Sequence, residues 1–174
     1  MIFDNIDINE FWNDNEYAMK EYVSDPPSDE LISEVERELG YKLPASYIRF
    51  MKMHNGGIPR KAYCQPVDGS FPVAVEGFYG IGREKANTLC GEMGTAFWLE
   101  EWEYPAIGVV ICDTISAGHD MIFLDYTQCG RDGEPCVVDV DQEADYRIVR
   151  LADTFEAFIG KLSSAEELGL DQLF

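Results

Sequence analysis

The 174-residue sequence predicts a single α+β domain spanning 1–174. A mostly antiparallel sheet of about six strands is expected, flanked by an N-terminal αα-hairpin and a C-terminal helix. Apolar residues recur at helical spacing as far as Asn55, and after Gly57 the chain changes to short β-branched and aromatic runs. Those runs follow one another with few intervening helical stretches, the mark of an antiparallel rather than a parallel sheet.

Phe11, Trp12, Tyr17, Met19 and Tyr22 give the segment from Asn9 to Tyr22 an approximate helical stripe, so an N-terminal helix is expected there. "SDPPSDE" then breaks it, because neither proline has an N–H to donate. Ser28 is a suitable N-cap, Asp29 and Glu30 complement the helix dipole, and Leu31, Ile32, Val35 and Leu39 form one face. Gly40 supplies the stop. Pro44 suits the first position of the next helix, where Tyr47, Ile48, Phe50 and Met51 build an apolar stripe. Asn55 or Gly56 can take the left-handed conformation that ends it, and His54 reads as a capping or packed residue.

The strands are expected in "AYCQPV", "FPVAVEGFYGI", "AIGVVICD", "DMIFLDY", "PCVVDVD" and "YRIVRL". In "VVDVD", Val138 and Val140 point one way and Asp139 and Asp141 the other, which describes one buried and one wet sheet face. "REKANTLCGEMGTAFWLEE" is expected to be partly helical, and Ala152 to Leu162 carries Phe155, Phe158, Ile159 and Leu162 on one helical face. The tail from Ser163 is a short helix or loose. The expected core is Leu31, Val35, Leu39, Tyr47, Phe50, Val109, Ile111, Ile122, Leu124, Val138, Val140, Phe155 and Phe158.

Charge is the strongest compositional signal: 13 Lys and Arg face 33 Asp and Glu, a formal −20. That field disfavours nucleic acid and anionic membranes and draws basic partners. It is also uneven. Twelve acidic residues stand against Arg131 alone between Glu100 and Asp145, whereas Leu31 to Arg60 is slightly basic. No apolar run has the length of a membrane span, and "MIFDNIDINEFW" lacks the plan of a signal peptide, so a cytoplasmic protein is expected. Five cysteines without a C-x-x-C pair read as reduced, mostly buried thiols.

Motifs for chemistry are sparse. "SAGHD" sets Ser116, His119 and Asp120 close in sequence, but a triad needs side-chain geometry, and the stretch reads more simply as a hairpin turn. Gly77, Gly80 and Gly82 miss the dinucleotide spacing, and there is no phosphate-binding loop. One imidazole among scattered carboxylates is a weak metal signal, so no cofactor and no metal is expected, and no catalytic residue. Trp98, Trp102 and Tyr104 lie among Glu100, Glu101 and Glu103. They suit either a docking site for a basic protein or a core-facing aromatic group with a solvated acidic rim.

Ser28 leading a helix, then "LGYKLPASYIRFMKMHNGG", then "AIGVVICDTISAGHDMIFLDY" and "DTFEAFIGKL", together resemble the SUKH superfamily, most strongly over 28–162. One departure is His119, which separates the Gly118 and Asp120 that are adjacent in the family's turn. The resemblance implies an α+β fold without catalytic residues, and a protein similar to bacterial immunity proteins that neutralise toxins, often nucleases. Other members, including the fungal cell-wall assembly regulator, are interaction modules. The expected function is therefore to bind and occlude a cognate, basic toxin domain through an acidic surface. Glu100, Glu101, Trp102, Asp113, Asp120, Asp139 and Asp141 are the expected contacts. A general interaction adaptor is the alternative, and a small metal-dependent hydrolase built on His119 a weaker one.

Overall fold

Helix starts and stops in the first third of the chain are set by short polar side chains, as the computed structural model of the protein shows; it describes residues 2–172. The single helix expected over Asn9 to Tyr22 is instead two, α1 (Ile8–Phe11) and α2 (Glu16–Glu21). Trp12 turns inward and bridges to Pro59, and the Asn15 side chain then accepts from the Ala18 amide and starts a new helix. Helical spacing was imperfect here because, of Phe11, Trp12, Tyr17, Met19 and Tyr22, only Trp12 and Tyr22 are buried, while Tyr17 and Met19 are exposed.

Helix α3 (Asp29–Leu39) opens on Ser28, whose Oγ accepts from Leu31 N–H, and closes on Gly40 at φ 79°. Helix α4 (Ala45–Met53) follows, with Pro44 as its N-cap rather than its first helical residue. Gly56 takes the left-handed turn (φ 84°), while Asn55 has a different task. Its side chain donates to the carbonyls of Asp25 and Ile81 and accepts from Ile81 N–H, which ties the helical third to the sheet.

Six antiparallel strands run in sequence order: β1 (Tyr63–Cys64), β2 (Val73–Phe78), β3 (Gly108–Thr114), β4 (Asp120–Asp125), β5 (Cys136–Asp141) and β6 (Arg147–Ala152). Val67, just after β1, donates to the Arg150 carbonyl on β6, so the sheet nearly closes into a barrel. Helix α5 (Thr95–Glu101) interrupts the strands and α6 (Phe155–Lys161) follows them, beginning after β6 has already taken Ala152. Thr154 caps α6 by accepting from Ala157 N–H.

The fold centres on aromatic packing. Phe50 of α4 lies 5.2–6.3 Å, ring to ring, from Phe3, Phe11, Trp12, Phe78 and Phe155. Each fully buried ring of this kind contributes about 1.5–3 kcal/mol relative to its exposed state. Of the expected core, Leu31 and Leu39 are only partly buried and the other members are buried.

The expected wet face is corrected by the structure. Residues of β3, β4 and β5 are buried on both faces for most of their length. Phe78, Phe50, Phe155 and Phe158 pack together over one side, while Tyr104 packs on Phe123 from the other, with Trp98 edge-on to Tyr104. Asp139 is consequently 6% exposed despite its place in an alternating strand.

Candidate functional site

Asp120 of β4 and Asp139 and Asp141 of β5 meet at one end of the sheet because the antiparallel register puts them there. Asp120 pairs with Asp141, and Asp139 pairs with Ile122, so all three carboxyls project from one face. With Arg147, which pairs with Asp141 from β6, they form the floor of a groove of about 390 Å³. Phe71 to Ala74 and Tyr63 make one wall; Ile115, Ser116 and His119 of the β3–β4 turn make another. The rim is apolar: Phe71 is 64% and Ile115 70% exposed.

The turn is built to hold Asp120 in place. Thr114 Oγ1 donates to the Asp120 carboxylate (2.9 Å), and the Asp120 N–H donates to Ser116 Oγ (2.9 Å). Gly118 sits at φ 97°, and any Cβ there would lie 2.8 Å from the Trp98 ring and 3.2 Å from Trp102. Tyr104 Oη donates to the Gly118 carbonyl (2.6 Å). The turn is thereby fastened to α5, and its His119 packs edge-on to Trp102, ring centroids 5.7 Å apart. "SAGHD" is thus an anchored turn. His119 Nδ1 faces Gln142 and Glu143, at 3.4 and 3.6 Å, rather than Ser116.

Electrostatics in the groove are lopsided. Asp120, Asp139, Asp141 and Glu143 are accompanied by Arg147 and His119, and the nearest Arg147–Asp141 approach is 3.9 Å. Burial, reinforced by the charge of Asp120 and a hydrogen bond with it, pushes the Asp139 carboxyl up to about 9. Asp139 therefore holds a proton at neutral pH and donates it toward Asp120. Its Oδ1 is buried with no hydrogen-bond partner among the described residues.

The other expected contacts are distributed differently. Glu100 and Glu101 are exposed at the end of α5, and Trp102 caps that helix half-buried, its carbonyl accepting from Tyr146 Oη (2.6 Å). Asp113 is not brought to the groove. It pairs with Met121, on the sheet face opposite Asp139, where its oxygens accept from Tyr22 Oη (2.7 Å) and Gly77 N–H (3.1 Å). Burial raises this carboxyl to about 7. A Cβ at Gly77 would lie 2.2 Å from the Tyr22 ring, so the glycine and the tyrosine–aspartate bond are one device. The sequence signal missed here was Gly77 opposite an acidic strand residue.

Among the described residues no group of three His, Cys, Asp or Glu side chains is placed to hold a metal ion. All five cysteines are free, and burial raises Cys64 and Cys90 to about 11 and 12, so neither is a thiolate at neutral pH. No helix among the described residues is long and apolar enough to cross a membrane.

A model of the SMI1 / KNR4 family (SUKH-1) matches residues 26–161, from the break before α3 to the end of α6. The chain belongs to that family. SUKH-1 proteins are known as immunity-type proteins. No curated protein matches the sequence. The matched SUKH-1 region contains α3, α4, every strand and both later helices, so every lining residue of the groove except Leu170 lies within it. The stretch "LPASYIRFMKMHNGG" serves the fold: Tyr47 Oη donates to the Tyr79 carbonyl, and His54 stacks on Trp12 while its Nδ1 donates to Gly56 O (2.7 Å).

Proposed function

We propose that this SUKH-1 protein is an immunity protein that binds a cognate, basic toxin domain, of nuclease type, and occludes its active site. What supports the reading is one observation above others. A family of immunity-type proteins is here represented by a chain of formal charge −20, whose apolar-rimmed groove is floored by carboxyls. Aromatic and aliphatic rim residues supply the packing that slows dissociation, and the field speeds encounter. The contact set is Glu100, Glu101, Trp102, Asp120, Asp139 and Asp141. Asp113 is left out, because internal donors already take both its oxygens. Action is by occlusion in the cytoplasm, with no chemistry by this chain.

The test is co-expression with the product of the adjacent gene, expected to be the toxin. Protection of the cell, together with a complex that survives gel filtration and blocks the toxin's activity in vitro, is the expected result. Protection without a complex would overturn occlusion. A stable complex with a protein that has no toxic activity would instead make this chain an interaction adaptor.

A further inference from the structure

The groove differs from an ordinary solvated acidic surface in one respect: a carboxyl group forming its floor is 6% exposed and has a buried oxygen, Asp139 Oδ1, unpartnered among the described residues. A buried acceptor left unsatisfied costs about 1–3 kcal/mol, so a donor that reaches it gains more than it would at the surface. Asp120 and Asp141 flank it by strand register, and Thr114 and Ser116 already fix Asp120. The arrangement is pre-organised for a group that donates several hydrogen bonds and carries positive charge.

We propose that this groove receives one lysine or arginine side chain of the protein partner, its cationic head bonded by Asp139, Asp120 and Asp141, and the adjoining apolar residues of the partner covering Phe71 and Ile115. The inference rests on the reading of this chain as a binder of basic proteins, and it names where such a partner is anchored. A protein segment fits better than a free cation for two reasons. No three ligating side chains among the described residues are set for a metal ion, and an exposed phenyl and sec-butyl rim gains nothing from a bare ion. Charge complementarity selects a basic segment.

Docking is coupled to a proton. The cation displaces the proton that Asp139 holds against Asp120, and the proton leaves to solvent, so Asp139 becomes a carboxylate paired with the newcomer. Asp120 on β4 and Asp141 on β5 oppose that ionisation, and Arg147 on β6 favours it. His119, Glu143 and Tyr63 line the same groove, and the Tyr104 hydroxyl is coupled to Asp120, Asp139 and Asp141. Uptake of the cation is therefore expected to strengthen as pH rises from 6 to 9.

The experiment uses the full chain and two small probes, Nα-acetyl-arginine methylamide and Nα-acetyl-lysine methylamide, with the norleucine analogue as the uncharged control. Backbone amide NMR titrations should show saturable shifts centred on Asp120, Asp139 and Asp141 for the cationic probes only. Asp139→Asn should weaken them about tenfold, equivalent to about 1.4 kcal/mol, and abolish the pH dependence. The asparagine amide can still donate to Asp120, so the variant should fold; Asp141→Asn, expected to weaken binding less, provides the same comparison if it does not. Shifts that never saturate and spread over the whole acidic surface overturn the proposal, as does undiminished binding in Asp139→Asn. A chain that captures its toxin yet binds no probe loses this inference alone. A chain that binds the probes yet captures no toxin loses the immunity reading alone.

Discussion

A buried carboxyl, Asp139, and a half-buried one, Asp113, give the protein an unusual dependence on pH at the scale of single residues. Asp113 and Asp139 are raised from 3.8 to about 7 and about 9 by burial first, with neighbouring carboxylates adding to it. A group whose folded value is raised keeps a proton that the unfolded chain has released, so stability falls as pH rises between the two values. For Asp113 that window runs from 3.8 to about 7, and for Asp139 from 3.8 to about 9. Urea titrations should show the unfolding free energy declining from pH 5 to pH 9. Asp139→Asn should flatten the upper part of that decline and add about 1–2 kcal/mol near pH 8, since a neutral amide carries no ionisation penalty. A difference between variant and parent that stays constant with pH would count against the assignment. None of this was legible in the alternation of "VVDVD", which locates Asp139 on a face but not what covers that face.

Between elements, the device that shapes the candidate site is the fastening of the β3–β4 turn to α5. Gly118 is required twice, by its positive φ and by the two indole rings beside it. Gly118→Val should destabilise the fold by about 2–4 kcal/mol through strain and overpacking. It should also change Trp102 fluorescence as His119 moves off the ring. A variant with unaltered fluorescence and melting temperature would show the turn and helix to be independent. A second element-scale prediction concerns α4: Phe50→Ala removes the hub of the aromatic cluster and should cost about 3–5 kcal/mol, read from a urea titration. The helices were the most legible part of the sequence because capping chemistry is local. Ser28, Gly40 and the stripe from Tyr47 to Met51 announce themselves within a dozen residues. Asn55 was legible as a stop signal only, since its bonds to Asp25 and Ile81 join segments far apart in the chain. The groove was half legible: Asp120, Asp139 and Asp141 were picked out, but Phe71 and Ile115 were not, because a rim is formed by loops from different strands. Asp113 was grouped with the others on charge alone, and only strand register separates it from them.

For the molecule as a whole, the proposed division of labour between field and groove can be measured. The net charge of −20 acts over about a Debye length, so it governs how often a basic partner arrives. Buried contacts govern how long it stays. Rapid-mixing measurements with the cognate toxin should therefore find an association rate that drops about 10- to 100-fold between 20 mM and 500 mM salt, with a dissociation rate that changes little. Glu100→Gln with Glu101→Gln, two exposed charges on the rim of α5, should lower the association rate and its salt slope while leaving dissociation nearly unchanged. Asp139→Asn should do the reverse, raising the dissociation rate about tenfold and hardly altering association, because a neutral, buried acid contributes little to the distant field. If both variants change the same rate constant, steering and anchoring are not separate functions of this surface, and the charge of the chain serves solubility rather than recognition.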